Sequence, residues 1–152
     1  MALHLEGPFI SKSKKGAQNP EHIRSASLDE LEEIWGEAGP LLKLVTLAPE
    51  TEGALDAIQL LRSWGVTVSI GHSDASYEQV MEAHRWGANH ICHTFNGMRG
   101  LHHRDPGVVG AALTCDGFSA ELICDGIHVH PAAMELVVRA KGVDAGHGST
   151  RR

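Results

Sequence analysis

Four short polar strings in this sequence hold the residue types that bind metals and move protons. They are His4-Leu-Glu6-Gly-Pro8, Gly71-His72-Ser73, His93-Thr-Phe-Asn96 and Asp125-Gly-Ile-His128. One carboxylate, Glu6, and two imidazoles, His72 and His93, make a nitrogen and oxygen donor set suited to Zn²⁺, Fe²⁺ or Mn²⁺, with positions left open for water. An open position suits catalysis rather than a closed structural site. Each residue also has a plainer role available. A histidine at a strand end is often a hydrogen-bonded packing residue, and Glu6 could cap the turn before Pro8. A carboxylate in an apolar Leu-Glu-Gly-Pro turn, however, needs a cation or an arginine to offset its desolvation. His84, His90 and His147 lack such a setting and read as structural or solvent-exposed. His4 should point away from the face of Leu5, which places it toward the site.

The elements that must position these strings alternate along the chain. Residues 3–5 read as a short strand. Ser27-Leu-Asp-Glu30 is a capping-box signature opening a helix that runs to about Glu37, before Gly39-Pro40 stops it. A strand is expected over 41–47. Ala54, Leu55, Ile58, Leu61 and Gly65 lie at helical spacing within 50–64, and residues 66–70 are β-branched and extended. A second capping pattern, Ser76 to Gln79, opens a helix ending at Gly87. Strands are expected over 90–95 and 121–124 with a loop between them, and Pro131 begins a helix ending near Lys141. This order favours a parallel sheet, open or rolled into a barrel, and in such folds the chemistry sits on the loops after the strands. All four polar strings fall there.

Composition limits the alternatives. The 152 residues, 42% hydrophobic and 21% charged, describe an ordinary globular chain, yet a closed (β/α)8 barrel typically takes about 250 residues. No apolar run approaches a membrane span or a signal-peptide core, so no membrane partner is expected and a cytoplasmic location is the default. A formal charge of -6 argues against nucleic acid as a partner while leaving room for a local basic site that grips a small anion. Cys92, Cys115 and Cys124 have no CxxC spacing and read as reduced, buried packing residues.

Seven strings together resemble one family. His4-Leu-Glu-Gly-Pro-Phe9, Lys14-Lys-Gly-Ala17, Val45-Thr-Leu-Ala-Pro-Glu50, Gly71-His-Ser73, His93-Thr-Phe-Asn96, His103-Arg-Asp-Pro-Gly107 and Asp125-Gly-Ile-His128 are similar, in order and approximate spacing over residues 3–142, to the N-acetylglucosamine-6-phosphate deacetylases of the amidohydrolase superfamily. The resemblance implies a partial TIM-type (β/α)8 metal-dependent hydrolase barrel over 1–142, incomplete at both ends, with 143–152 a polar tail. It implies that Glu6, His72 and His93 are ligands of a divalent cation, zinc foremost, with iron, manganese or cobalt as alternatives. Ala17, Asn96 and Gly97 match substrate-contacting positions, Arg104 a phosphate-binding arginine that reaches across a homodimer interface, and His128 a sugar-contacting histidine. The implied partner is a small phosphorylated amino sugar, deacetylated to glucosamine 6-phosphate and acetate.

The residue chemistry is compatible with these roles. Hydrolysis of an acetamide needs a nucleophile at neutral pH and a stabilised oxyanion, and a metal serves both. A histidine near the carbonyl, as His128 would be, can donate a hydrogen bond that strengthens as charge develops. The fork of Arg104 matches a phosphate, with His102 and His103 beside it as further donors, although Arg104 could equally pair with Asp105 on the surface.

The sequence also departs from the family. The family's Thr-Asp-Ala segment, whose aspartate acts as general base and then acid, has no counterpart here, and Asp144 in a Gly-rich tail is a poor substitute. Gln18 stands where many relatives carry His. An internal fragment with little or no activity is the expectation, since a general acid or base is typically worth about 10²- to 10⁴-fold. The tail suggests a reading frame lost near Gly142, which sequencing the gene past that codon tests. Two other readings stay open: an amidohydrolase acting on a different amide, with no phosphate site, and a non-catalytic metal-binding remnant.

Overall fold

The computed structural model describes residues 1–142, so the expectations for the tail, Asp144 and His147 lie outside the described residues. Five strands, β1 (Leu3–Glu6), β2 (Leu42–Leu47), β3 (Thr67–Ile70), β4 (His90–Ile91) and β5 (Ser119–Ala120), alternate with five helices. These are α1 (Leu28–Ala38), α2 (Ala54–Ser63), α3 (Tyr77–Trp86), α4 (Gly107–Thr114) and α5 (Pro131–Lys141). The sheet is wholly parallel and its order is sequential, β1-β2-β3-β4-β5. A sequential order has no point where the winding reverses, unlike the doubly wound sheets that bind ligands at such a reversal.

Strand side chains alternate between two faces. Val45, Leu47, Val68, Ile70 and Ile91 pack with Leu31, Ala57, Ile58, Leu61, Val80, Ala83, Val108 and Ala112 from the helices, each of them 0% exposed. Each fully buried Val, Leu or Ile among them is worth about 1.5–3 kcal/mol. The opposite face is polar: Thr46 and Ser69 are buried there, and His4 Nε2 meets Thr46 Oγ1 at 2.8 Å. Gly71 continues that face, where an added Cβ would fall 1.9 Å from Cys92 Sγ.

Several expectations need correction. Residues 107–114 form a helix, not a loop. All six residues from Gly107 to Ala112 are buried, and a helix enclosed on all sides carries no amphipathic period to read. The strand expected over 90–95 ends at Ile91, because His93 and Phe95 take positive φ, 29° and 81°, which an extended strand cannot accommodate. The fifth strand is Ser119–Ala120 rather than 121–124; after Thr94 N donates to Glu121 O the interrupted neighbour offers no further ladder. Helix α2 starts at Ala54, not near Glu50, after Gly53 in the left-handed region. At α1 only half of the capping box forms. Ser27 Oγ accepts from Glu30 N, while the Glu30 carboxylate turns to Arg24. At α3 the box is complete and Gly87 closes the helix. Cys92 is buried as expected, but Cys115 is half-buried and Cys124 is exposed.

Candidate metal centre

Glu6 ends β1, His72 follows β3 by one residue beyond Gly71, and His93 follows β4. Parallel pairing therefore brings the three strand ends together. Glu6 Oε1 lies 2.7 Å from His72 Nε2 and 3.1 Å from His93 Nε2, and the two Nε2 atoms are 3.1 Å apart. The other nitrogen of each ring is committed to a main-chain carbonyl: His72 Nδ1 to Lys14 O and His93 Nδ1 to Asn96 O, both at 2.8 Å. A carbonyl can only accept, so in a neutral ring each Nδ1 carries the proton and each Nε2 presents a lone pair. Two lone pairs and a carboxylate oxygen then converge on one point, an arrangement that repels itself unless a cation occupies it. Anchoring Nδ1 in this way is how metal-binding histidines are usually oriented.

The donor set fits a divalent ion. Zinc bonds of about 2.0–2.1 Å in a tetrahedron space ligand atoms about 3.3 Å apart, so these three atoms need separate by only about half an ångström. The Glu6 side chain is 37% exposed, more open than its apolar neighbours suggest, which leaves a side for water or substrate. Burial works to raise the Glu6 pKa, and His72 and His93 outweigh it, bringing the carboxyl below its usual range, only when their Nε2 atoms carry protons to donate.

Backbone geometry is specialised around the rings. His72 has φ 48° and His93 φ 29°, and non-glycine residues in this region tend to cluster at functional sites. Two glycines, both at positive φ, flank the His72 ring. A Cβ on Gly16 would sit 3.2 Å from its Cε1, and one on Gly97 would sit 3.1 Å from its Nδ1.

The other candidates are placed as follows. Ala17 is exposed and next to Gly16 in the loop that supplies Lys14 O. Asn96, half-buried, offers Nδ2 to Thr94 O at 3.5 Å. Gln18 Nε2 reaches Glu6 O at 3.5 Å. His103 and Arg104 form the exposed tip of a small hairpin closed by paired hydrogen bonds between His102 and Asp105. The surface pairing of Arg104 with Asp105 does not form, since Asp105 pairs with Arg99 at 3.4 Å; among the described residues Arg104 has no acidic partner. His128 is exposed, and its Nδ1 lies 2.6 Å from Asp125 Oδ2, away from any hydrogen bond to the three-residue cluster. His4 bonds Thr46, and His90 lies between Ser119 Oγ, at 2.6 Å, and Glu121 Oε1, at 2.9 Å. His84 gives Nδ1 to Ala88 O, and His130 caps α5. The Arg99–Asp74–Lys14 bridge and the Glu50 contacts to Ser73 and Asp74 were not anticipated. Lys14, Glu50 and Ser73 stand in strings the sequence singled out, but nothing there signalled these contacts.

Comparison with known proteins shows what these parallel strands, with a carboxylate and two imidazoles at their ends, are similar to. No family model matches the chain. It is 46% identical, over 95% of its length, to the N-acetylglucosamine-6-phosphate deacetylase of Lysinibacillus sphaericus, covering 37% of that protein. It is 48% identical, over 90% of its length, to the N-acetylgalactosamine-6-phosphate deacetylase of Escherichia coli O157:H7, covering 36% of it. The structure of the Mycobacterium smegmatis N-acetyl-D-glucosamine-6-phosphate deacetylase, an aspartate-to-alanine mutant in complex with N-acetyl-D-glucosamine-6-phosphate, superposes with a TM-score of 0.88. It is 36% identical, with 91% of this chain and 36% of that one covered. Over nearly all its length the chain therefore corresponds to a part of the N-acetylglucosamine-6-phosphate deacetylases. It spans about a third of the length of the relatives it matches.

Proposed function

We propose that this chain carries the metal centre and phosphate-gripping loop of a divalent-metal-dependent deacetylase of N-acetylglucosamine 6-phosphate, on part of a (β/α)8 barrel. The convergence of Glu6 Oε1 with the two Nε2 atoms, each ring fixed through Nδ1 on a carbonyl, carries this reading. The sequential parallel sheet supports the barrel.

In this reading Glu6, His72 and His93 hold the ion, zinc foremost. Bound there, a divalent ion lowers the pKa of water to about 7 and polarises the amide carbonyl. Arg104, with His103 beside it, takes the 6-phosphate from the exposed hairpin tip, across a homodimer interface. Ala17, Asn96 and Gly97 line the sugar next to the cluster. Asp125 fixes the His128 ring through Nδ1, and a ring carrying protons on both nitrogens donates from Nε2 to the carbonyl oxygen as charge develops. The general base is the aspartate of the family's Thr-Asp-Ala segment, which this sequence does not contain, so the chain alone turns over slowly or not at all. We place the protein in the cytoplasm; no described helix is long and apolar enough to cross a membrane.

The likeness to an N-acetylgalactosamine-6-phosphate deacetylase supports the C4 epimer as the second reading. Calorimetric binding of glucosamine 6-phosphate and galactosamine 6-phosphate to the zinc-loaded chain tests both. Preference for the gluco sugar supports the first reading, preference for the galacto sugar the second, and equal affinity for unphosphorylated glucosamine removes the phosphate site from either.

A further inference from the structure

Glu50 has no part in holding the metal or the phosphate, yet both of its carboxylate oxygens are engaged at short range. Oε2 accepts from Ser73 Oγ at 2.7 Å and Oε1 from Asp74 N at 2.6 Å. Ser73 Oγ in turn accepts from Ala75 N at 3.1 Å, and Ser73 and Ala75 are 0% exposed. Glu50 lies between β2 and α2, so one side chain ties that loop to the loop leaving β3. The main chain of Ser73 is pinned from a third loop, its N–H on Gly97 O and its carbonyl under Arg99 N.

The residue held by this arrangement is His72. Its φ of 48° is one that an imidazole-bearing residue keeps only where the surroundings over-determine it. Two donors, a hydroxyl and an amide N–H, converge on Glu50, and a carboxylate is the side chain that accepts from both without presenting a donor of its own.

We propose that Glu50 is a positioning residue for the metal centre. By clamping Ser73 and Asp74 it holds His72 at positive φ, with Nδ1 on Lys14 O and Nε2 facing Glu6 and His93. This rests on reading the cluster as a metal centre.

The experiment uses the full chain and two readouts. Long-range ¹H–¹⁵N correlations of the imidazoles report each ring's tautomer in the metal-free protein, and competition with a chromogenic chelator reports zinc affinity. In Glu50→Ala, His72 is expected to lose its single Nδ1–H tautomer while His93, anchored on Asn96 O, keeps its own, and zinc affinity is expected to fall about tenfold or more. A His72 signal that does not change, a His93 signal that changes as much as that of His72, or a zinc affinity within about twofold of wild type overturns the proposal. If circular dichroism shows Glu50→Ala unfolded, Ser73→Ala, which removes only the hydroxyl arm, is held to the same criteria. A wild-type chain without zinc affinity overturns the metal-centre reading alone, and the His72 tautomer then decides the role of Glu50.

Discussion

His72 donates Nδ1–H to the carbonyl of Lys14 at 2.8 Å, and that bond, across 58 residues of sequence, decides which nitrogen faces Glu6. The loop bearing Lys14 is thus part of the proposed metal centre without offering it a ligand.

Gly97 is the close neighbour of this bond. With φ +59° and a would-be Cβ 3.1 Å from His72 Nδ1 and 3.4 Å from Lys14 O, it has neither the backbone freedom nor the space for a side chain. Gly97→Ala is expected to cost about 1–2 kcal/mol from the left-handed backbone alone and to weaken zinc about tenfold by tilting the ring. Thermal melting and chelator competition read the two effects; an unchanged zinc affinity would show that Gly97 does not position His72.

Arg104 stands apart from the cluster at the tip of its hairpin. Arg104→Ala is expected to leave zinc content unchanged and to weaken binding of glucosamine 6-phosphate about 10- to 100-fold, the loss of a charge-assisted hydrogen bond worth about 1.5–3 kcal/mol. Calorimetry with the phosphorylated and unphosphorylated sugars isolates the effect. Equal weakening of both would place Arg104 outside the phosphate site.

Asp125 accepts from the backbone N–H of His128, from the His128 ring and from the backbone of Ile127, in that order of effect, and its pKa is brought down from 3.8 to about 2. A depressed carboxylate pKa means that the contribution of these bonds to the folded loop is present above 3.8 and is lost as pH falls through about 2. Carbon-detected titration of Asp125 in the folded chain is expected to show its midpoint near the lower value, and in His128→Ala to show it moved back up. A midpoint at the ordinary value in the wild type would mean that the loop does not hold this arrangement.

The parts of the fold written in a repeating pattern were legible. Strands β2 and β3 and helices α1, α3 and α5 fall within a few residues of where β-branched runs, caps and Pro131 put them. What was not legible lacked such a pattern. The Gly-Val-Val-Gly-Ala-Ala helix is apolar on all sides, and β4 stops where His93 and Phe95 turn to positive φ, a choice made by tertiary packing rather than by residue type. At the site, residue chemistry and strand-end position singled out Glu6, His72 and His93, which do converge. The side chains that support them were harder to find, because Glu50 acts through a loop distant in sequence and the Lys14 contribution is a carbonyl that every residue possesses. The chain's relation to the deacetylases came from the order of seven strings, and no single string could have carried it.

Zinc content of the purified chain, measured beside Glu6→Ala, His72→Ala and His93→Ala, tests the central claim most directly. A tetrahedral site with three protein ligands predicts about one ion per chain, lost in each variant. A folded wild-type chain that binds no metal, or variants that retain it, would contradict the assignment of these three residues as its ligands.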